Sequence, residues 1–314
     1  MRASDDKKIT VLGLGGVGGY VGALLAGACP HVTFVARGER GRAIRERGLV
    51  LHSDYRGERT VRPERVVETA EGLEIQDYIF ICVKNYSLEE ACRSLTGCVS
   101  EDTVIVPVMN GADPGDRARE YLPGGTVIDS LIYIVAFANA DFSVTQQDRF
   151  ANLYVGIQDA SPADWKKCCD VTDLLNGAGV DCTASRDIQA EIWKKYILNC
   201  AYNVETALYD NCIGQLREDP EKAAIYEVLV DEAWQVALAK GIHVTQADRD
   251  SIIYRFYHKL QYDATSSLQR DVNAGRPTEL ETFSGYIVRE AQRLGVAAPV
   301  SGEMYTKLKE KCRA

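Results

Sequence analysis

The stretch that decides the fold is Ile9-Thr10-Val11-Leu12-Gly13-Leu14-Gly15-Gly16-Val17-Gly18. Four residues of strand-forming type run directly into G-x-G-x-x-G, and a helical pattern opens at once behind it. Each glycine answers a separate steric demand: Gly13 the tight turn, Gly15 the approach of backbone to a pyrophosphate, Gly18 the close packing of helix on strand. The helix N-terminus then offers unpaired N–H groups and a partial positive charge to the phosphates. Gly13, Leu14, Gly15, Gly16, Val17 and Gly18 are therefore assigned to binding a dinucleotide. A glycine-rich turn without a ligand is the plainer alternative, and the strand–turn–helix context weighs against it.

The same stretch invites a different error. Residues 9–30 carry no charge, a length that would span a bilayer. Gly13, Gly15, Gly16, Gly18, Gly19, Gly22 and Gly27 interrupt it, and acidic Asp5 and Asp6 precede it, so neither a membrane span nor a signal peptide is expected.

The 314 residues suggest about two domains, and 46% hydrophobic with 26% charged residues is ordinary for a globular protein. With 36 basic against 45 acidic residues the net charge is -9, which opposes a nucleic-acid partner. Ten cysteines without C-x-x-C spacing read as reduced thiols of a cytoplasmic protein, and four dispersed histidines predict no metal site.

The first half alternates strand-like and helical runs, the pattern of a parallel sheet flanked by helices. The expected strands are Ile9–Leu12, Val32–Val35, Tyr78–Val83, Thr103–Val108 and Thr126–Ile132, with Phe142–Val144 and Asn152–Ile157 as antiparallel edge strands and Val180–Thr183 as a last short one. Beyond about Asp187 the periodicity is helical over Ile188–Leu208, Pro220–Lys240, Gln246–Tyr262 and Thr278–Leu294. Thr278 and Glu281 have capping-box spacing, and Gly295 sits where a C-terminal glycine belongs. The expected domains are residues 1–186 and 187–314, an α/β sheet domain followed by an all-α one.

The end of the second strand selects the dinucleotide. An NAD enzyme usually places Asp or Glu there for the ribose 2′-hydroxyl, whereas this chain has Ala36-Arg37-Gly38-Glu39-Arg40. The Arg37 guanidinium can pair bidentately with a 2′-phosphate, and Arg40 can add a contact, which favours NADP(H). Glu39 is a contrary signal, and a solvated arginine at a helix start is the alternative. Lys84 and Asn110-Gly111 follow later strands, so both belong at the carboxyl edge where ligands of open sheets bind. As isolated residues they read equally as turn residues.

In the helix from Ile188, Trp193, Tyr196, Ile197, Cys200, Val204 and Ala207 share the core arc. Lys195, Asn199, Asn203 and Thr206 form a narrower polar arc, while Lys194 and Glu205 fall on a third arc expected to face water. Asparagine is a poor helix-interior residue, so the polar arc is either a binding wall or a hydrogen-bonding stripe between domains. Periodicity leaves both open.

Together with Gly13–Gly18, Val35-Ala36-Arg37, Val83-Lys84 and Asn110-Gly111, the segments Trp193-Lys194-Lys195 with Asn199 and Asn203, and Ser266-Ser267-Leu268-Gln269-Arg270-Asp271 running to Thr278-Glu279, make the chain resemble the ketopantoate reductase (2-dehydropantoate 2-reductase) family over its whole length. The resemblance implies a Rossmann-type doubly wound domain joined to an all-helical domain with substrate in the cleft between them. It also implies NADPH-dependent reduction of ketopantoate to pantoate, on the way to pantothenate and coenzyme A, with a homodimer as a possible assembly. It assigns Lys195 as catalytic lysine and Glu279 as its partner, also near the cofactor. Asn110, Asn199, Asn203 and Ser267 become substrate ligands, with Lys84 and Asn110 close to both cofactor and substrate. Met109, Ala112-Asp113 and the segment Arg149–Gly156 depart from the usual family residues. The competing functions are reduction of another branched 2-oxo acid and a non-catalytic NADP sensor. The presence of Lys195, Glu279 and both asparagines weighs against a sensor.

Overall fold

The computed structural model describes residues 6–313. Its contacts divide the chain into two units, one running through Ile188 and the other beginning at Gln189. The strands of the first unit are β1 (Ile9–Leu12), β2 (Val32–Val35), β3 (Leu49–Ser53), β4 (Arg59–Val61), β5 (Arg65–Val67), β6 (Tyr78–Ile81), β7 (Val104–Pro107), β8 (Thr126–Val127), β9 (Asp129–Ala138), β10 (Val144–Gly156) and β11 (Asp181–Ala184). Its helices are α1 (Gly16–Ala28), α2 (Gly38–Arg47), α3 (Leu88–Ser94), α4 (Pro114–Tyr121) and α5 (Pro162–Ala178).

Six strands form a parallel sheet in the order β5-β2-β1-β6-β7-β8. Its central strands are apolar along nearly their whole length because both faces are covered. Alternation sorts their side chains into two cores. Ile9, Val11, Phe34, Phe80, Val104 and Val106 pack with Val21, Leu24 and Leu25 of α1. Leu12, Val35, Ile79, Ile81 and Ile105 pack with Leu88, Ala91 and Cys92 of α3 and Ala118 of α4. The polar exception in β1, Thr10, is buried and donates its hydroxyl to Gln76 at 2.9 Å.

The region after β8 departs from the sequence expectation. Thr126–Ile132 is not one strand: β8 closes the parallel sheet, and β9 begins a second, mixed sheet with β10, β11, β3 and β4. The two short edge strands expected around residues 142–157 are a single strand, β10, antiparallel to β9 with a register shift between Gln147 and Asn152. The short strands β4 and β5 escaped the pattern because each is only three residues long and lacks apolar alternation.

The second unit contains α6 (Ile188–Tyr209), α7 (Ile213–Glu218), α8 (Pro220–Ala239), α9 (Gln246–His258), α10 (Ser267–Asn273), α11 (Tyr286–Leu294) and α12 (Pro299–Lys311). Trp193 and Tyr196 of α6 meet edge to face at 5.3 Å, and Tyr226 of α8 stacks on Phe256 of α9 at 3.9 Å. The N-terminus of α12 is capped from another helix, since the Glu232 carboxylate accepts from Val300 N and Ser301 N. Gly295 adopts the expected left-handed C-cap, with φ +69°. The expected capping box at Thr278 is absent. Glu281 turns instead to Arg289 and Tyr305, and residues Glu281–Gly285 form a π-helical turn. That turn leaves carbonyls for Tyr196, whose hydroxyl donates to Thr282 O and Phe283 O.

The third arc of α6 is wet at Lys194, which is partly exposed, but not at Glu205. Lys194 pairs with Glu191 and Asp248, and Glu205 is fully buried, its two carboxylate oxygens finding no hydrogen-bond partner among the described residues. Burial pushes the Glu205 carboxyl up to about 9; Lys222 opposes that shift and Asp219 adds to it. The folded chain thus holds a proton that the unfolded chain releases near its ordinary value. Stability attributable to this residue is full below about pH 4.5 and falls as the pH rises towards about 9. At about 1.36 kcal/mol per unit, the cost at pH 7 is roughly 3 kcal/mol. Glu205→Met is therefore expected to stabilise the protein in denaturant unfolding, by about 4 kcal/mol more at pH 8 than at pH 5. Equal gains at both pH values would refute a neutral buried carboxyl.

Candidate functional site

The glycine loop leaves β1 between its sheet neighbours β2 and β6. Gly13 N–H donates to Val35 O, and Cys82 N–H donates to Leu12 O, which ties the ends of the three strands together. Gly13 has φ +84°, and a Cβ there would sit 2.8 Å from the Cys82 carbonyl oxygen. A Cβ on Gly18 would run into the carbonyl oxygen of Gly13. At Gly15, by contrast, a Cβ would meet nothing within 4 Å. Gly15 is also the N-cap of α1, which has neither a side-chain cap nor an acidic residue in its first turn. Open space beside uncapped helix N–H groups suits a phosphate.

Arg37 stands at the end of β2 as the N-cap of α2, its guanidinium 2.8 Å from the Glu90 carboxylate on α3. Arg40, the residue expected to add a second phosphate contact, is anchored beside the glycine loop. It donates to Leu14 O at 2.7 Å and lies over the Phe142 ring, bracing the glycine loop.

Lys84 follows β6 and caps a short 3₁₀ turn, Asn85–Ser87, while Asn110 follows β7 ahead of Gly111, whose φ is +115°. The two loops are joined by a residue that the sequence reading passed over. Asn85, buried, donates its amide to Asn110 O at 2.7 Å. Arg117 of α4 in turn donates to Asn85 Oδ1 at 3.2 Å and Asn85 O at 2.9 Å. The glycine loop, Lys84 and Asn110 thereby share the carboxyl ends of β1, β6 and β7, which are adjacent in the sheet.

On the helical unit the polar arc of α6 divides in two. Its later part is a hydrogen-bonding seam within that unit. Asn203 Oδ1 accepts from Ser267 Oγ at 3.3 Å and Leu268 N at 3.4 Å. Thr206 donates to Ser266 Oγ at 2.7 Å, and Ser266 is the N-cap of α10. The earlier part, Lys195 and Asn199, is half-buried. Loss of hydration pulls the Lys195 ammonium down to about 8 from its ordinary 10.5, and the Glu279 carboxylate opposes that shift. Glu279 is buried just before the π-helical turn, its carbonyl accepting from Thr282 N and Phe283 N. The structure thus brings Lys195 within electrostatic reach of Glu279, and Asn203 into contact with Ser267.

Of the departures from the family residues, Met109 and Ala112 fall on packing positions. Met109 is buried in the core that holds Ile105 and Ala118, Ala112 is buried, and Asp113 is the N-cap of α4. The segment Arg149–Gly156 is part of β10. Among the described residues no cluster of His, Cys, Asp and Glu could hold a metal ion, and no helix is long and apolar enough to cross a membrane.

A parallel sheet with this loop at its carboxyl edge, followed by a helical unit, is the architecture of a pyridine-nucleotide-dependent oxidoreductase acting on CH–OH or C=O groups. Residues 9–159 match the family ketopantoate reductase PanE/ApbA, and residues 187–312 match its C-terminal part. The chain belongs to this ketopantoate reductase family. It is 27% identical over 300 residues to a 2-dehydropantoate 2-reductase of Halobacterium salinarum, covering 93% of this chain and 95% of that one. A crystal structure of 2-dehydropantoate 2-reductase from Porphyromonas gingivalis W83 superposes with a TM-score of 0.81 at 29% identity, over 96% of this chain and 99% of that one. The ternary structure of D-mandelate dehydrogenase with NADH and anilino(oxo)acetate shares the fold, with a TM-score of 0.85 at 20% identity over 98% of both chains.

Proposed function

We propose that this chain uses NADPH to reduce 2-dehydropantoate (ketopantoate) to pantoate, with Lys195 as the proton donor. The observation that carries this reading is the match of residues 9–159 and 187–312 to the ketopantoate reductase family, with Lys195 on a half-buried face of α6, its ammonium pulled down to about 8 by loss of hydration. A lysine that holds its proton this loosely is a better general acid near neutral pH than an ordinary one. With the phosphates of the dinucleotide held at the glycine loop, its reduced nicotinamide would supply the hydride that the ketone carbon receives. Lys195 gives its proton to the carbonyl oxygen, where negative charge accumulates, and Glu279 positions the ammonium.

Asn199, Asn203 and Ser267 serve as substrate ligands. The Oδ1 of Asn203 already accepts from Leu268 N and Ser267 Oγ, so what Asn203 offers a substrate is its N–H. Lys84, and Asn110 held by Asn85, act near cofactor and substrate, and Arg37 takes the 2′-phosphate. A charge-assisted hydrogen bond to that phosphate is worth roughly 1.5–3 kcal/mol, which predicts at least about tenfold preference for NADPH.

The second reading is reduction of a different 2-oxo acid with NADH, favoured by the fold shared with D-mandelate dehydrogenase solved with NADH. A nucleotide-oxidation assay with ketopantoate, an aromatic 2-oxo acid and branched 2-oxo acids, run with NADPH and NADH, separates the two. Ketopantoate with NADPH is expected to give the highest kcat/KM. A higher value for the aromatic acid with NADH would select the second reading.

A further inference from the structure

The pairing of Arg37 carries a consequence for the choice of nucleotide. Arg37 follows β2, Glu90 lies in the first turn of α3 after β6, and β1 lies between those two strands. Their ion pair, 2.8 Å long, therefore spans the sheet edge from which the glycine loop springs. Both side chains are mostly exposed, at 60% and 64%. Glu90 is not taken up along its own helix. There it is Glu89 that pairs with Arg93, one helical turn away. Nor does the nearby arginine relieve Arg37, because Arg40 is engaged with Leu14 O and Phe142. The remaining charge beside Arg37, Glu39, pairs loosely with Arg42 at 3.8 Å.

We infer that Glu90 sets how strongly this protein distinguishes NADPH from NADH. Its carboxylate competes with the 2′-phosphate for the Arg37 guanidinium and repels that phosphate through space. It also brings to this edge the carboxylate that the end of β2 lacks, the group by which NAD-dependent sheets of this kind hold the ribose 2′-hydroxyl. NADPH must part the Arg37–Glu90 pair to gain its contact, whereas NADH can leave the pair closed. The inference rests on the reading that a pyridine nucleotide binds at the glycine loop.

The test measures binding of NADPH and NADH to the full-length protein by nicotinamide fluorescence, in the absence of any 2-oxo acid. Glu90→Gln keeps the size of the side chain and removes its charge at an exposed position, so folding is not at risk. The ratio of Kd for NADH to Kd for NADPH is expected to rise about fivefold, the upper end of what an exposed ion pair is worth. The rise should shrink at high ionic strength, where exposed charges are screened. Glu89→Gln makes the same change of net charge on the adjacent residue and is expected to leave the ratio within about twofold. A ratio unchanged in Glu90→Gln, or moved equally by Glu89→Gln, would overturn the role of Glu90 alone. Wild-type protein that binds neither nucleotide would overturn the underlying reading of the loop.

Discussion

Replacing Lys195 with alanine is expected to lower kcat by about a hundredfold or more, the scale of a lost general acid, while NADPH still binds. The nucleotide's proposed contacts lie mainly on the sheet unit, and Lys195 is on α6. The acting form is the protonated ammonium, held near 8, so wild-type kcat should fall as the pH rises through about 8. Glu279 is the group that holds this value up. In Glu279→Gln the alkaline fall should therefore move to lower pH, a shift that a purely structural role would not produce. Lys194→Ala provides the control. Lys194 is tied to Glu191 and Asp248, and losing it should cost little activity. Were Lys194→Ala the damaging variant and Lys195→Ala the mild one, the phase of α6 assigned to catalysis would be wrong.

Ketopantoate is expected to be reduced far faster than its analogue with a methyl group in place of the hydroxymethyl. A site built to hydrogen-bond a substrate hydroxyl rejects the analogue lacking it by as much as about 10⁴-fold, because its own polar groups are left unpaired. The proposed ligands are mostly uncharged, which suits one carboxylate and several neutral oxygens better than a phosphorylated substrate. Asn199→Ala should shrink the ratio of kcat/KM values for the two substrates. Asn203→Ala is a poorer test, since losing its Oδ1 also strands Leu268 N–H at the start of α10. Comparable kcat/KM for the two substrates would move the assignment to a broader branched 2-oxo acid reductase.

What was legible in the sequence follows from how locally each feature is specified. The glycine loop could be read because backbone clearance is written in the identity of single residues, and the structure shows those clearances at Gly13 and Gly18. The polar arc of α6 was legible as an arc, since helical phase is a local property. Its partners in α10 were not, because Ser266 and Ser267 lie some sixty residues away. Glu205 was misread for the same reason. Its phase is that of a solvent face, and only the packing of the helical unit buries it. Glu90 and Asn85 carry no signal at all in isolation. One is an acidic residue in a helix's first turn and the other a turn asparagine, and each acquires meaning from a partner on a different element. The stretch after Val127 shows another limit. A run of strand-forming residues does not reveal that the chain changes sheets within it.

The Asn203 amide has a direction as well as a place. Leu268 N–H can only donate, so the atom that meets it must be the oxygen. Turning the amide over would set two donors against each other and strand a buried one, at about 1–3 kcal/mol. The side chain is thereby locked as a giver of hydrogen and cannot offer a lone pair. Anyone redesigning this protein for 2-oxo acids that end in an amine would gain nothing from Asn203 as it stands. Because the donor that sets its direction is a main-chain N–H in the opening turn of α10, an ordinary side-chain replacement there would leave the amide facing the same way, and the residue to change is Asn203 itself.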